Sequence, residues 1–147
     1  MKAITEKLNT TQIIQITRGS EIPLRGTPRT AGFDLWALHG LKLQPWQITR
    51  VPLKIQMALP GHLCLMRTGR SGLATKVILA HARIVDPDYR GMLCALLYNS
   101  NREAFQIQKG QRVAQGILLS VVPVKWERTD TLPYTDRQER GFGSTGI

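Results

Sequence analysis

A period of two limits this chain more than anything else in its sequence. Val51, Leu53, Ile55, Met57 and Leu59 alternate with Pro52, Lys54, Gln56 and Ala58, as in a strand with one buried face. Further apolar stretches lie at Leu63–Met66, Val77–Ala80, Met92–Tyr98 and Val113–Val124. Turn formers separate them: Pro60-Gly61, Asp86-Pro87-Asp88, Asn99-Ser100-Asn101 and Lys109-Gly110-Gln111. Many short strands at close spacing predict an all-β sandwich or barrel and exclude a regular alternation of strands and helices. One short helix is expected after Ser71, a suitable N-cap, running through Lys76. Ile13–Thr17 reads as one more strand.

The 147 residues, 42% of them hydrophobic, suit a single domain with one packed core. Neither repeat nor linker divides them. The chain is therefore read as one unit, 1–147, with an N-terminal segment (1–20), a β core (22–128) and a C-terminal arm (129–147). The arm is polar, and Arg137–Ile147 is rich in Gly, Ser and Arg with Phe142 its single aromatic, so it cannot form a core of its own. It is either a frayed terminus or a segment ordered by a ligand or a neighbouring subunit.

No apolar run approaches the ~20 residues of a membrane span, and the first residues lack the pattern of a signal peptide. A soluble intracellular protein with no membrane partner is expected. Cys64 and Cys94 sit inside apolar runs and read as buried thiols acting as small hydrophobes, with a disulfide as the alternative. His39, His62 and His81 are scattered, without the spacing of a metal site. The formal charge of +10 points to an anionic partner. Because the basic residues are spread along the chain, a polyanion and a small charged ligand such as a nucleoside triphosphate both fit.

Five stretches combine Gly with charged or hydroxyl residues: Ala31-Gly32-Phe33-Asp34-Leu35, Gly69-Arg70-Ser71-Gly72-Leu73-Ala74, Ile84-Val85-Asp86-Pro87-Asp88-Tyr89-Arg90-Gly91, Gly110-Gln111-Arg112-Val113-Ala114-Gln115, and Arg137 through Gly141-Phe142-Gly143-Ser144-Thr145-Gly146. Singly, each could be a turn. In this order and spacing they resemble the five motifs of the trimeric dUTPase family, over nearly the whole chain from Ile22 to Gly146.

That resemblance implies a jelly-roll-like β-sandwich, a homotrimer with shared active sites, and a C-terminal arm swapped onto a neighbouring subunit. It implies hydrolysis of dUTP to dUMP and pyrophosphate, which keeps uracil out of DNA. Nucleic acid is not required. Asp86 matches the catalytic carboxylate that activates the attacking water, and Tyr89 the ring that lies against the deoxyribose and leaves no room for a 2′-hydroxyl. The base would be read by the main chain of a hairpin at Ala80–Val85. There Arg83-Ile84-Val85-Asp86 replaces the family's usual Gly-Val-Ile-Asp, so the Arg83 side chain must turn away.

Ser71 and Gly72 match phosphate contacts, with Arg70 supporting their loop or reaching a phosphate oxygen. Gln115 matches the glutamine on the α-phosphate, Arg112 the neighbouring basic position, and Arg137 the arginine on the γ-phosphate. Phe142 would stack on uracil while Gly143, Ser144 and Thr145 wrap the phosphates. Gln138-Glu139-Arg140 departs from the family's small residues. Mg2+ is expected on the triphosphate with no direct protein ligand, and Asp34 matches an acidic position that helps hold water around it. The alternative function is a binding or regulatory module derived from this family, with weak or lost catalysis.

Overall fold

The computed structural model describes residues 11–140, whose regular secondary-structure elements are all strands apart from one short helix. In chain order they are β1 (Gln15–Ile16), β2 (Phe33–Trp36), β3 (Leu41–Leu43), β4 (Ile48–Pro52), β5 (Met57–Ala58), β6 (Leu63–Thr68), α1 (Ser71–Ala74), β7 (Ile78–His81), β8 (Ile84–Val85), β9 (Cys94–Asn99), β10 (Phe105–Ile107) and β11 (Arg112–Ser120). A four-stranded antiparallel sheet has the order β2-β11-β6-β8, and a three-stranded one the order β4-β9-β7. Two short pairs, β1-β5 and β3-β10, complete it. Leu35, Leu65 and Val113 from the larger sheet join Val51, Ala95 and Leu97 from the smaller in one contiguous core. The sheets do not close into a barrel among the described residues, so the sandwich reading is the one that applies.

The alternation at 51–59 is realised in burial but not as one strand. Val51, Leu53, Ile55, Met57 and Leu59 are all buried, yet the ladder with β9 ends at Pro52. Beyond it the chain divides its hydrogen bonds: Leu53 N–H donates to Leu93 O, Lys54 N–H to Trp36 O, and Glu21 N–H to Lys54 O. A segment shared among several partners keeps its inward face and loses a regular ladder. Periodicity reports the first and is silent on the second.

The helix is shorter than expected, and Ser71 is not its cap. Arg70 holds that position with extended backbone (φ −103°, ψ 140°) and no side-chain cap bond, so Ser71 becomes the first helical residue. After one turn Val77 takes φ +56°, where its carbonyl accepts from both the N–H and the hydroxyl of Ser100, each at 3.1 Å.

Asn99 is the one fully buried polar side chain among the described residues. Its Nδ2 donates to Leu43 O (2.9 Å) and Glu103 O (2.8 Å), while its Oδ1 accepts from the Asn101 N–H (3.0 Å). With its polar atoms all partnered, it joins β9 to β3 and to the loop before β10.

The thiols of Cys64 and Cys94 are free and half-buried, less enclosed than their apolar neighbours suggested. The last strand ends at Ser120, and no strand follows among the described residues. From Val121 on, Val122, Val124, Trp126 (89% exposed), Leu132 and Tyr134 lie open to solvent. Among the described residues no helix is long and apolar enough to cross a membrane.

Candidate active site

The turn after β8 folds on itself. Tyr89 N–H donates to Asp86 O (3.2 Å), and the Arg90 guanidinium donates back to the carbonyls of Pro87 (2.7 Å) and Tyr89 (3.0 Å). The Tyr89 hydroxyl donates to Met92 O at 3.1 Å, which lays the ring across Gly91. A Cβ at Gly91 would stand 2.3 Å from that hydroxyl, so only glycine leaves the ring its place. Asp86 and Tyr89 share a cleft of about 500 Å³ with Ile84, Val85, Arg67 and Arg50. Asp86 is exposed, and its carboxylate has no side-chain partner among the described residues. It is free to act on something in the cleft.

A second group assembles where β2, β11 and β6 run side by side. Gln115 stands opposite both Asp34 and Thr68, so the strand order β2-β11-β6 puts residues of two distant motifs on one rung and brings a third, which starts at Gly69, next to it. Asp34, 18% exposed, pairs through Oδ1 with Arg70 and through Oδ2 with Arg112 at 3.3 Å. Gln115 Nε2 donates to Gly69 O at 3.1 Å. Its Oε1 lies where a Cβ on Gly32 would come within 2.9 Å, which explains the glycine in the first motif. Burial, with the nearby Arg112 charge second, lowers the Arg70 pKa below the usual arginine range; Asp34 supplies the compensating charge.

Arg70 and Ser71 line a cleft of about 440 Å³ together with Ala80, His81, Ala82 and Arg83. The hairpin thus serves both clefts, residues 78–83 one and residues 84–85 the other. Arg83 is exposed and lines the Arg70 cleft, not the Asp86 one.

Two groups of expected residues therefore come together: Asp86, Tyr89, Ile84 and Val85 at one cleft, and Asp34, Arg70, Ser71, Gly72, Arg112 and Gln115 around the other loop. Arg137 lines neither cleft; its Nε donates to Arg140 O at 2.9 Å within a local turn. Phe142, Gly143, Ser144 and Thr145 lie outside the described residues. Sequence reasoning missed Arg67, which lines the Asp86 cleft. Its signal was parity: Leu63, Leu65 and Arg67 point the same way along β6. Burial lowers its pKa below the usual arginine range, and nearby Cys94 and Tyr89 oppose the shift.

Fold and site define a jelly-roll-like β protein with two surface clefts joined by one hairpin, an acid and a tyrosine in one and an arginine-serine loop in the other. Comparison with known proteins narrows this class. The dUTPase family model matches residues 18–146. The deoxyuridine 5′-triphosphate nucleotidohydrolase of Mus musculus is 35% identical over 136 residues, covering 92% of this chain and 84% of the relative. That of Orientia tsutsugamushi (strain Ikeda) is 35% identical over 147 residues, covering 96% and 99%. Among solved structures, a Staphylococcus bacteriophage 80alpha dUTPase mutant with dUpNHpp aligns with a TM-score of 0.85 at 19% identity, over 93% of this chain and all of that one. The chain belongs to the dUTPase family.

Proposed function

We propose that this chain hydrolyses dUTP to dUMP and pyrophosphate. The observation that carries the reading is the cleft joining Asp86 to Tyr89 in a member of this family. Asp86 holds a water and takes its proton as the water oxygen bonds to the α-phosphorus. The bond from that phosphorus to the bridging oxygen breaks, and pyrophosphate leaves. Tyr89, braced across Gly91, packs on the deoxyribose, where a 2′-hydroxyl would clash and lose its hydrogen bonds. Arg70, Arg112, Gln115, Ser71 and Gly72 bind the phosphates. Arg137 with Phe142, Gly143, Ser144 and Thr145 closes over the nucleotide.

Magnesium fits this arrangement as a passenger of the triphosphate, since it favours phosphate oxygens and water over a protein cage. Asp34 already faces two guanidinium groups, so it would meet the ion through water. When bound, the ion neutralises charge on the phosphates.

The active assembly is a homotrimer with shared sites. Support comes from the separation of the two clefts, which have no lining residue in common, so that one subunit supplies Asp86 and another the phosphate loop. The exposed apolar side chains from Val122 to Tyr134 favour an arm seated on a neighbour.

The test is pyrophosphate release from dUTP by purified protein with magnesium; absence of turnover removes the enzyme reading. Mixing an Asp86→Asn chain with one lacking Arg137–Ile147 should restore activity if sites are shared. Mixtures as inactive as their parents would argue for self-contained subunits.

A further inference from the structure

Arg67 continues the inward parity of the buried Leu63 and Leu65 on β6, an unusual place for a guanidinium. Its N–H donates to Arg83 O at 2.6 Å, and its Nη2 donates to Ala82 O at 2.7 Å. Backbone and side chain of one residue thus grip two successive carbonyls of the hairpin turn. The β6–β8 ladder itself pairs only Leu65 with Val85 and Met66 with Ile84, so these two bonds carry the pairing on to the turn. Ala82 has φ +48°, a left-handed conformation disfavoured for any residue with a Cβ. A turn bent that way needs an external hold.

The hold is not an efficient way to stabilise the fold. Arg67 Nε is the buried side-chain donor left without a partner among the described residues, and an unpaired buried donor is costly. A methionine would fill this stretch of β6 without that penalty. The same guanidinium lines the cleft of Asp86 and Tyr89. Its position makes sense if the shape of the hairpin matters more than the local stability.

We propose that Arg67 is a positioning residue for base recognition: its guanidinium, through the Ala82 carbonyl and beside the main-chain bond to the Arg83 carbonyl, sets the hairpin turn in the shape that presents its main chain to the pyrimidine. This rests on the nucleotide reading above and deepens it, because Ala82 and Arg83 carry side chains at a turn that a glycine would form unaided.

The experiment compares the full chain with its Arg67→Met and Arg67→Gln variants. Hydrogen exchange at the amides of residues 82–85 without nucleotide reads the grip. Affinities for dUMP and dTMP read base recognition without requiring turnover, and saturating kcat for dUTP reads the chemistry. Arg67→Met should speed that exchange about tenfold or more, as expected for loss of a charged hydrogen bond. It should weaken dUMP binding about tenfold, narrow the preference for dUMP over dTMP, and leave kcat within about twofold and the melting temperature unchanged. Arg67→Gln, which keeps an N–H donor, should fall between the two.

Unchanged exchange, or faster exchange with dUMP affinity and base preference intact, overturns the proposal. So does a fall in kcat as large as the fall in affinity. A wild-type protein that binds dUMP but does not cleave dUTP would sink the enzyme reading alone, leaving exchange and affinity to decide the role of Arg67.

Discussion

The two clefts are built in opposite ways. The Asp86 side is local: Asp86, Pro87, Tyr89, Arg90 and Met92 bond to one another within a few residues, around a glycine that makes room for the tyrosine ring. On the Arg70 side the contacts span the chain. Asp34 meets Arg70 across 36 positions and Arg112 across 78, while Gln115 reaches Gly69 across 46. A locally built site survives as long as its turn does. One assembled from distant strands depends on sheet order and register, so it should be more sensitive to change elsewhere in the molecule.

The strongest way to break this contrast is Asp86→Asn. It should cut turnover by about 10²–10⁴-fold, the usual contribution of a positioned general base, with nucleotide affinity and melting temperature retained. Near-normal pyrophosphate release would move the base to another residue. Asp34→Asn should act differently: about 1–3 kcal/mol of stability lost, because two guanidinium groups lose the negative charge they share and one of its two acceptor oxygens, together with a KM for dUTP raised about tenfold. Chemical denaturation and steady-state kinetics on one preparation would show whether both fall together; a purely kinetic effect would mean that the Asp34 pairs do not support the fold.

Gly91→Ala tests the local side. The new methyl meets the outer end of a side chain that is 47% exposed, so Tyr89 can swing away and stability should change by no more than about 1 kcal/mol. Discrimination of dUTP against UTP should still fall about tenfold. A preserved ratio would release Tyr89 from its assigned role. The smallest effect is expected at Val77, away from both sets of contacts. A β-branched residue at φ +56° is strained, so Val77→Gly should raise stability by about 1 kcal/mol and leave both clefts unaltered, as thermal melting and kinetics would show.

Legibility followed the same division. The Asp86–Gly91 turn could be read from consecutive residues, because each supplies its own reason: a turn-starting Asp-Pro, a tyrosine, a glycine to accommodate its ring. Asp34, Arg70, Arg112 and Gln115 were each recognisable as motif members, but that one carboxylate faces both arginines was not. That follows from β11 lying between β2 and β6. Ser71 resembled a cap because its side chain suits one; the extended backbone of Arg70 assigned the position otherwise. The exposed apolar residues from Val121 onward continued an apolar run and gave no sign in sequence that the strand stops at Ser120.

From its sequence alone, this chain was bound to alternate apolar and polar faces, to turn where Pro, Gly, Asp and Asn cluster, and to carry the residue types of a nucleotide site. Those properties reside in neighbouring residues and their intrinsic geometry. Tertiary structure alone decided where the 51–59 segment leaves its ladder, which residues stand opposite Gln115, and how Arg67 comes to grip the hairpin. Such outcomes depend on the order and register of strands distant in sequence, and these are chosen by the packing of the shared core.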